Sequence, residues 1–350
     1  MTMPNNHTSG NDRGKRRMAW RLAVLAVLVV GIMLIVRNQT PTPYMHNSGV
    51  VFGTVYNITY QCDSDLHAGI RAQLQRVDAS LSAFNEKSTI SAVNRNAPHK
   101  PDPMFTEVFN MAQDVARETG GAFDITVAPL VNAWGFGFKK GTFPTAHTID
   151  SLRRLIGYGK VKMVEGRVVK ADPRLMLDCS AIAKGYGSDV VAGYLRSRGV
   201  ENFMVEIGGE IVTSGISERR VPWRIGVTKP TDDSLSTNEE IQTIINVTDK
   251  AMATSGNYRN FYYKNGRKYA HTIDPHTGYP VQHNILSSTV LADKCAIADA
   301  YATAFMVMGL DGAKQILEKH PELMAYFIWA DAEGNNHVWY SPSMRDKIHK

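Results

Sequence analysis

The chain is long and apolar enough to bury a large core, and its net charge is confined to one end. It has 350 residues, 43% of them hydrophobic, and a formal net charge of +6 at pH 7. Residues 1–37 carry +5 of that charge, and the remaining +1 gives the body no basic surface of the kind that binds nucleic acid.

The first predicted element is an apolar helix over residues 18–36, which follows a cluster of basic residues. A helix of that length spans roughly 28 Å, close to the thickness of a bilayer's hydrocarbon core. Arg21 near one end can reach the lipid headgroups. The basic cluster (residues 1–17) predicts a cytoplasmic N-terminus and a body on the periplasmic side of the bacterial inner membrane. A cleaved signal peptide is the alternative, but the long apolar run favours an uncleaved anchor.

The rest of the chain is predicted to be a linker followed by one large α+β domain. Proline, asparagine, serine and glycine indicate a linker over residues 37–49, and the domain covers residues 50–345. Strands lie in groups instead of alternating with helices, which favours α+β over a doubly wound sheet. The predicted helices lie at residues 66–84, 105–119, 296–309 and 313–319, with another that ends at Gly199. The predicted strands lie at residues 50–60, 161–170, 203–207, 223–227, 241–247, 269–273, 287–292, 325–329 and 337–340.

Four segments place polar groups where the apolar pattern predicts a dry element. The first contains Asp124 and Thr126 within GAFDITVAPLVN, and it continues into the alternating aromatics and glycines of WGFGF. Such alternation suits a flat ring that lies against the backbone. A capped turn with packed aromatic rings explains the same residues, and from these residues alone we prefer that structural explanation.

The second segment, LDCSAIAKGY, spans residues 177–186. Ser180 is a candidate N-cap for the helix that follows, and the first backbone N–H groups of that helix favour a phosphate. Lys184 can add positive charge beside the same anion. A plain N-cap accounts for Ser180 and Asp178 but leaves Lys184 without a role, so binding and structural explanations are evenly balanced.

The third segment, YAHTIDPHTGYP, holds a histidine and an aspartate three residues apart. Asp274 in that position can orient the imidazole of His271 as a general base. Alternatively, Asp274 only begins a turn and His271 is a hydrogen-bonded core residue. For a single histidine the structural explanation is the more common one.

The fourth segment, AIADAYATAFMVMG, is a nearly apolar helix that carries a carboxylate. Asp299 and Thr303 are four residues apart and therefore share one helix face. A buried carboxylate is costly unless it is paired, hydrogen-bonded or bound to a metal. The two side chains offer hard oxygen ligands that suit Mg²⁺. A structural hydrogen bond to a neighbouring strand is the competing explanation.

Seven segments can be compared with known families in chain order. They are GTVYNITY, GGAFDITVAPLVNAWGFG, LDCSAIAKGYGSDVV, VEIGGEI, MATSGNY, HTIDPHTGYP and ADAYATAFMVMG, and they cover about residues 50–310. Together they resemble the ApbE-type FAD:protein FMN transferases. Each segment is weak alone, but seven in the family's order are highly specific. The resemblance implies T-fold-like β-sheets with packed helices.

The resemblance also implies a reaction. Such enzymes bind FAD and Mg²⁺, break the diphosphate and transfer FMN to a threonine, sometimes a serine, of a partner protein, so that AMP is released. Their partners are flavin-accepting subunits of membrane redox complexes or other exported flavoproteins. This agrees with the export segment that the N-terminal sequence predicts independently.

The family's functional positions correspond to residues of this chain. The flavin contacts correspond to Ala122, Phe123, Asp124, Asp178, Lys184 and Ile273. The magnesium ligands correspond to the backbone carbonyl of Ala181 and to Asp299 and Thr303, with the backbone of Ala302 nearby. The proposed base that activates the acceptor hydroxyl corresponds to His271.

Two flavin-contacting positions depart from the family's pattern. Phe52 stands where the family usually has methionine, and it keeps an apolar surface for the flavin. Phe84 stands where a tyrosine is common, and it keeps the ring but loses the hydroxyl. The affinity for FAD can therefore differ, while the chemistry of the reaction is unaffected.

Two other functions fit the same sequence features. An FAD pyrophosphatase would use the same magnesium site with water in place of the acceptor hydroxyl and would release FMN and AMP. A membrane-tethered flavin-binding protein without turnover would release no AMP. The combination of His271 with Asp299 and Thr303 argues against the non-catalytic alternative. This argument depends only on the resemblance to the family.

Overall fold

A computed structural model gives the structure of most of the chain, in two compact units. The described residues are 10–39, 42–138, 143–230, 240–257, 261–264, 267–282, 284–331 and 333–349. The first unit ends at Pro43, and the second covers Tyr44–Lys350.

The first unit contains one helix, α1 (Gly10–Gln39), and the helix predicted over residues 18–36 lies within it. Across the described residues, no helix combines the length and the apolar character that crossing a membrane requires. The predicted helix is therefore confirmed, whereas the predicted transmembrane span is not supported by the structure.

The second unit is built on one large antiparallel sheet. Its strands, with those of three small ribbons, are β1 (Tyr44–Val51), β2 (Thr54–Gln61), β3 (Val161–Val164), β4 (Arg167–Lys170), β5 (Phe203–Ile207), β6 (Glu210–Ser214), β7 (Trp223–Thr228), β8 (Ile241–Val247), β9 (Ala251–Gly256), β10 (Phe261–Lys264), β11 (Arg267–Ala270), β12 (Ile285–Ala292), β13 (Met324–Ala330) and β14 (Asn336–Tyr340). The large sheet has eight strands in the order β1-β2-β5-β6-β9-β12-β13-β14. The pairs β3–β4, β7–β8 and β10–β11 form the separate ribbons.

The described part of the second unit also contains seven α-helices, of which the last two pack closely on one face of this sheet. They are α2 (His67–Leu81), α3 (Thr89–Asn94), α4 (Pro103–Glu118), α5 (Ala128–Ala133), α6 (Ala146–Arg153), α7 (Ser180–Ser197) and α8 (Cys295–Lys319). The last helix is kinked at Gly309, whose φ of 73° is outside the helical range. Its first part contributes a row of buried alanines to the core that it shares with α4 and α7.

The C-terminal half of the sheet is covered on both faces, as its strand β13 shows. Ala325 and Phe327 join the core formed with α4, α7 and α8. Tyr326 and Ile328 join a second core with the β7–β8 ribbon on the opposite face. Because successive side chains of a strand point to opposite faces, a strand buried on both faces must be apolar throughout. This explains the unbroken apolar sequence of β13.

The two halves of the sheet meet at β6 and β9. Four strands on one side of this junction precede residue 215, and four on the other side follow residue 250. The two strands pair through Ile211 with Met252 and Val212 with Ala251, and the N–H of Thr213 donates to the carbonyl of Lys250, just before β9 (3.0 Å). Since the neighbouring strand pairs are longer, this is the shortest pairing in the sheet.

The predicted α+β class is confirmed, although several boundaries differ. Tyr44–Val51 was placed mostly in the linker, but it forms β1 and pairs along its whole length with β2. Helix α2 ends at Leu81, so Phe84 lies beyond it and not on its apolar face. Strands β6 and β9 were missed, because Glu210 in one and small alanine and serine residues in the other hide the apolar pattern.

Candidate functional site

One cleft in the second unit contains nearly all of the predicted site residues. It has a volume of 1160 Å³. The predicted residues that line it are Phe52, Phe84, Ala122, Phe123, Asp124, Asp178, Ala181, Lys184, His271, Ile273, Asp299 and Thr303. Ala302 is fully buried inside α8 and is not part of the lining. The structure therefore brings together residues from positions far apart in the chain.

One wall of the cleft is formed where α7 meets α8. A Cβ on Gly185 would lie 2.4 Å from the carbonyl oxygen of Cys295, so only glycine permits this approach. Asp189, one turn further along α7, accepts hydrogen bonds from the backbone N–H groups of Cys295 (2.8 Å) and Ala296 (2.9 Å). Asp299 of α8 in turn accepts a hydrogen bond of 3.1 Å from the N–H of Gly185. These contacts fix the relative position of the two helices.

Three charged side chains lie together at this wall. Lys184 forms an ion pair with Oε1 of Glu210, and Asp299 is only 3% exposed. Burial lowers the pKa of Lys184, but the charges of Glu210 and Asp299 outweigh burial and raise that pKa above its usual value. Burial raises the pKa of Asp299 and also that of Glu210, in each case against the opposing effect of Lys184. The cluster thus holds one cation between two carboxyl groups.

Glu210 is the member of this cluster that the sequence analysis missed. It is 2% exposed, and its second oxygen, Oε2, has no hydrogen-bond partner among the described residues. It begins β6 directly after Gly208 and Gly209, which have φ values of 62° and 100°. The signal was present in VEIGGEI, because a glutamate that opens an apolar strand is costly to bury unless it is paired.

Asp124 and Asp178 each accept hydrogen bonds from a neighbouring turn, and both line the cleft. Asp124 accepts bonds from the N–H (2.8 Å) and hydroxyl (2.7 Å) of Thr126, which confirms the predicted capped turn. Burial raises the pKa of Asp124. Asp178 accepts a bond of 2.8 Å from the N–H of Ser180. The prediction that Ser180 caps α7 is wrong, because Ser180 is the first residue of that helix.

His271 lines the cleft beside Phe136, which itself stacks on Tyr262 with ring centroids 5.1 Å apart. Its ring is 6.4 Å from that of Phe136, at an angle of 70°. The two oxygens of Asp274 accept bonds from the N–H of His276 and the hydroxyl of Thr277, both at 2.8 Å. Asp274 therefore begins a turn, which was one of the two alternatives for this segment.

The two phenylalanines that depart from the family's pattern lie at different depths. Phe52 occupies the β1–β2 turn with a φ of 52°, a strained value for an aromatic residue. Its ring packs on α7, where a Cβ at Gly187 would lie 2.8 Å from it. Phe84 is 68% exposed at the rim of the cleft, and its ring contacts that of Phe138 at 6.1 Å.

The lining is acidic, and the ligand atoms that it offers are oxygens, which hard cations prefer. Its described residues include six carboxyl groups but only two cations, Lys184 and Arg224. Among the described residues, no three histidine, cysteine, aspartate or glutamate side chains come together as a metal site. A cation at Asp299 would therefore take further ligands from hydroxyl and carbonyl oxygens or from its substrate. Thr303 presents such a hydroxyl, 3.1 Å from that of Ser255.

Comparisons with known proteins give a consistent result. A model of the ApbE family matches residues 52–327. An FAD:protein FMN transferase from Vibrio cholerae is 39% identical over 312 residues, which cover 85% of this chain and 92% of the relative. One from Haemophilus influenzae is 36% identical and covers 83% of this chain and 88% of the relative.

Solved structures show the same similarity. The flavin transferase ApbE from Vibrio cholerae superposes with a TM-score of 0.80 at 36% identity, covering 88% of this chain and all of that chain. The apo form of the flavinyl transferase ApbE from Pseudomonas stutzeri gives a TM-score of 0.78 at 28% identity and covers 89% of this chain and 98% of that chain.

Proposed function

This chain belongs to the ApbE family, and we propose that it is an FAD:protein FMN transferase that works with Mg²⁺. In the proposed reaction, FMN moves from FAD to a threonine or serine hydroxyl of a partner flavoprotein, and AMP is released. The proposed partners are flavin-accepting subunits of membrane redox complexes or other exported flavoproteins.

The observation that carries this proposal is the wall formed by α7 and α8. It places Lys184, Asp299 and Thr303 on one side of a cleft of 1160 Å³. That volume exceeds the usual range for drug-sized ligands, about 300–1,000 Å³. A cleft of this size suits a ligand as large as a dinucleotide. A cation and an amine on the same wall suit the diphosphate at the centre of FAD, and the aromatic ring of Phe136 suits a flavin ring.

The residues at this wall fit Mg²⁺. The carbonyl of Ala181, the carboxylate of Asp299 and the hydroxyl of Thr303 would hold it, and all three are oxygen ligands of the kind that Mg²⁺ prefers. The acidic lining gives a second reason, because an anionic diphosphate needs added positive charge to enter it. When bound, the ion would stabilise the negative charge that develops on the leaving AMP.

The remaining chemistry belongs to the protein's own side chains. The acceptor hydroxyl oxygen forms a bond to the phosphorus of the FMN portion, and the bond from that phosphorus to the bridging oxygen breaks, so that the bridging oxygen leaves with AMP. His271 accepts the hydroxyl proton as a general base. Lys184 orients the diphosphate, and the ring of Phe136 beside His271 limits the access of water.

Intact-mass spectrometry of an acceptor protein tests this function. The purified protein is mixed with FAD, Mg²⁺ and a threonine-containing domain from a flavin-dependent membrane redox complex. We expect the acceptor to gain the mass of FMN minus water, and to gain nothing with EDTA or when its accepting threonine is replaced by alanine. Release of AMP and FMN without a modified acceptor would instead support FAD hydrolysis.

We also propose that the second unit works on the periplasmic side of the inner membrane. The support is the basic cluster that precedes the apolar residues 18–36. Protease treatment of intact spheroplasts tests this, because an exported unit is digested while cytoplasmic proteins survive. Recovery of the undigested protein with the cytoplasmic fraction would contradict the proposal.

A further inference from the structure

The ion pair between Lys184 and Glu210 bears on how a diphosphate enters the cleft. Two carboxyl groups compete for Lys184, and the direct contact is with Glu210. Asp299 instead accepts the N–H of Gly185 (3.1 Å). The amine that lines the cleft is therefore in direct contact with Glu210, while Asp299 remains available as a cation ligand.

The position of Glu210 is fixed by the same helix that carries Lys184. Its carbonyl oxygen accepts a hydrogen bond of 2.9 Å from the hydroxyl of Ser188, one turn beyond Lys184 on α7. Its backbone also pairs with Ile207 across the Gly208-Gly209 turn. The carboxylate is thus held beside the amine by the backbone and does not depend on the reach of a flexible loop.

This arrangement leaves the metal-free cleft without a free cation at the diphosphate position. Lys184 and Arg224 are the two cations among the described lining residues, and Arg224 is exposed on β7. Lys184 is already paired, and its neighbour Asp299 repels an anion. A second negative charge at this wall has no evident structural benefit, because Oε2 of Glu210 has no hydrogen-bond partner among the described residues.

We propose that Glu210 makes FAD binding depend on the metal, by neutralising Lys184 until a cation at Asp299 offsets the carboxylates. This proposal rests on the proposed function and deepens it. Glu210 does not itself touch the reacting atoms; it acts through Lys184 and selects the metal-bound form of the substrate over free FAD. Replacing its charge should therefore strengthen the binding of FAD in the absence of metal.

Flavin fluorescence titrations test the proposal without any measurement of turnover. The dissociation constant of FAD is measured with Mg²⁺ and with EDTA, for the native protein and for Glu210→Gln, which keeps the size of the side chain and removes its charge. We expect the variant to bind FAD about tenfold more tightly in EDTA, so that the ratio of the two constants falls by a similar factor. Riboflavin, which has no phosphate, should bind both proteins equally.

Three further variants separate charge pairing from a general effect. Glu206→Gln removes another carboxylate of the same lining that is hydrogen-bonded to Asn57, and it should change the ratio by less than about twofold. In a Lys184→Met background, Glu210→Gln should change the ratio of the two dissociation constants much less than it does in the native protein. Glu210→Asp keeps the charge, and it should keep the metal dependence of the native protein. It tests the role of the charge even if Glu210→Gln folds poorly.

Three results would overturn the inference. They are an unchanged ratio in Glu210→Gln, an equal change in Glu206→Gln, and an undiminished effect in the Lys184→Met background. Failure of the proposed function is a different result, because it would appear as an absence of FAD binding, or of transfer to the acceptor, in the native protein.

Discussion

Asp299 is a carboxylate in an otherwise apolar helix, and its burial determines what its replacement should do. Its folded-state pKa is raised, so the folded protein binds a proton at this group more tightly than the unfolded chain does. The sign follows directly: ionisation of Asp299 costs stability as the pH rises through the raised pKa, and acidification removes that cost. A metal-free protein therefore gains nothing in stability from this charge at neutral pH.

Replacing Asp299 by asparagine should separate stability from function. We expect Asp299→Asn in EDTA to have a Tm equal to or above that of the native protein, because a buried charge is removed. Its Tm should not rise with Mg²⁺, and transfer should fall by at least about a hundredfold. The control is Asp311→Asn on the same helix, where the side chain is 97% exposed. A Mg²⁺ response retained in Asp299→Asn would remove this residue from the metal site.

His271→Ala should slow transfer and spare substrate binding. Loss of a general base costs about 10²–10⁴ in rate, whereas the dissociation constant of FAD should change by less than about twofold, because His271 acts on the acceptor. His276→Ala, an exposed histidine of the same segment, is the matched control and should transfer FMN at the native rate. Equal rates in the two variants would show that His271 is not the base.

At the scale of elements, the meeting of α7 and α8 sets the geometry of the site. Gly185→Ala introduces a methyl group 2.4 Å from a backbone oxygen that cannot move aside. We expect a loss of about 1–3 kcal/mol in the free energy of unfolding, together with weaker Mg²⁺ binding, because Asp299 moves with α8. Thermal and chemical unfolding with and without Mg²⁺ give both quantities.

Gly193→Ala is the control for this change. It lies on the same helix, and a Cβ there would meet no atom within 4 Å. Alanine in a helix interior is favoured over glycine by about 0.5–1 kcal/mol, so this variant should be as stable as the native protein or more so. A similar loss of stability in both variants would contradict the close approach of the two helices.

The elements that the sequence predicted well are those with one dominant pattern. Residues 105–119 show helical spacing, and β5 and β8 show apolar β-branched runs, so their bounds were nearly right. Strand β6 was missed because its first residue is a buried glutamate whose partner, Lys184, lies 26 positions earlier in the chain. Single segments could not decide between binding and structural roles, because Asp124 and Asp178 serve as turn caps while they also line the cleft. Only the tertiary structure shows both.

At the scale of the whole molecule, the second unit contains its own cores. The core clusters are formed by residues from Tyr44 onward. We therefore expect a chain that begins at Thr42 to fold alone, with a Tm within about 2 °C of that of the full chain, a difference of under about 1 kcal/mol. It should also transfer FMN at the native rate. A large fall in Tm would show that the N-terminal residues contribute to the stability of this unit.

Because the pairing between β6 and β9 is short, a bound substrate can also affect the stability of the sheet. Helix α7, with Lys184, packs on β5 and β6, whereas α8, with Asp299, packs on β9 and β12. A diphosphate and cation held by both helices would add a further link between the two halves of the sheet, beside the direct contacts of α7 with α8, and the free energy of binding would then also resist their separation. Bound FAD and cation would therefore stabilise the second unit, and each transfer of FMN would remove that stabilisation.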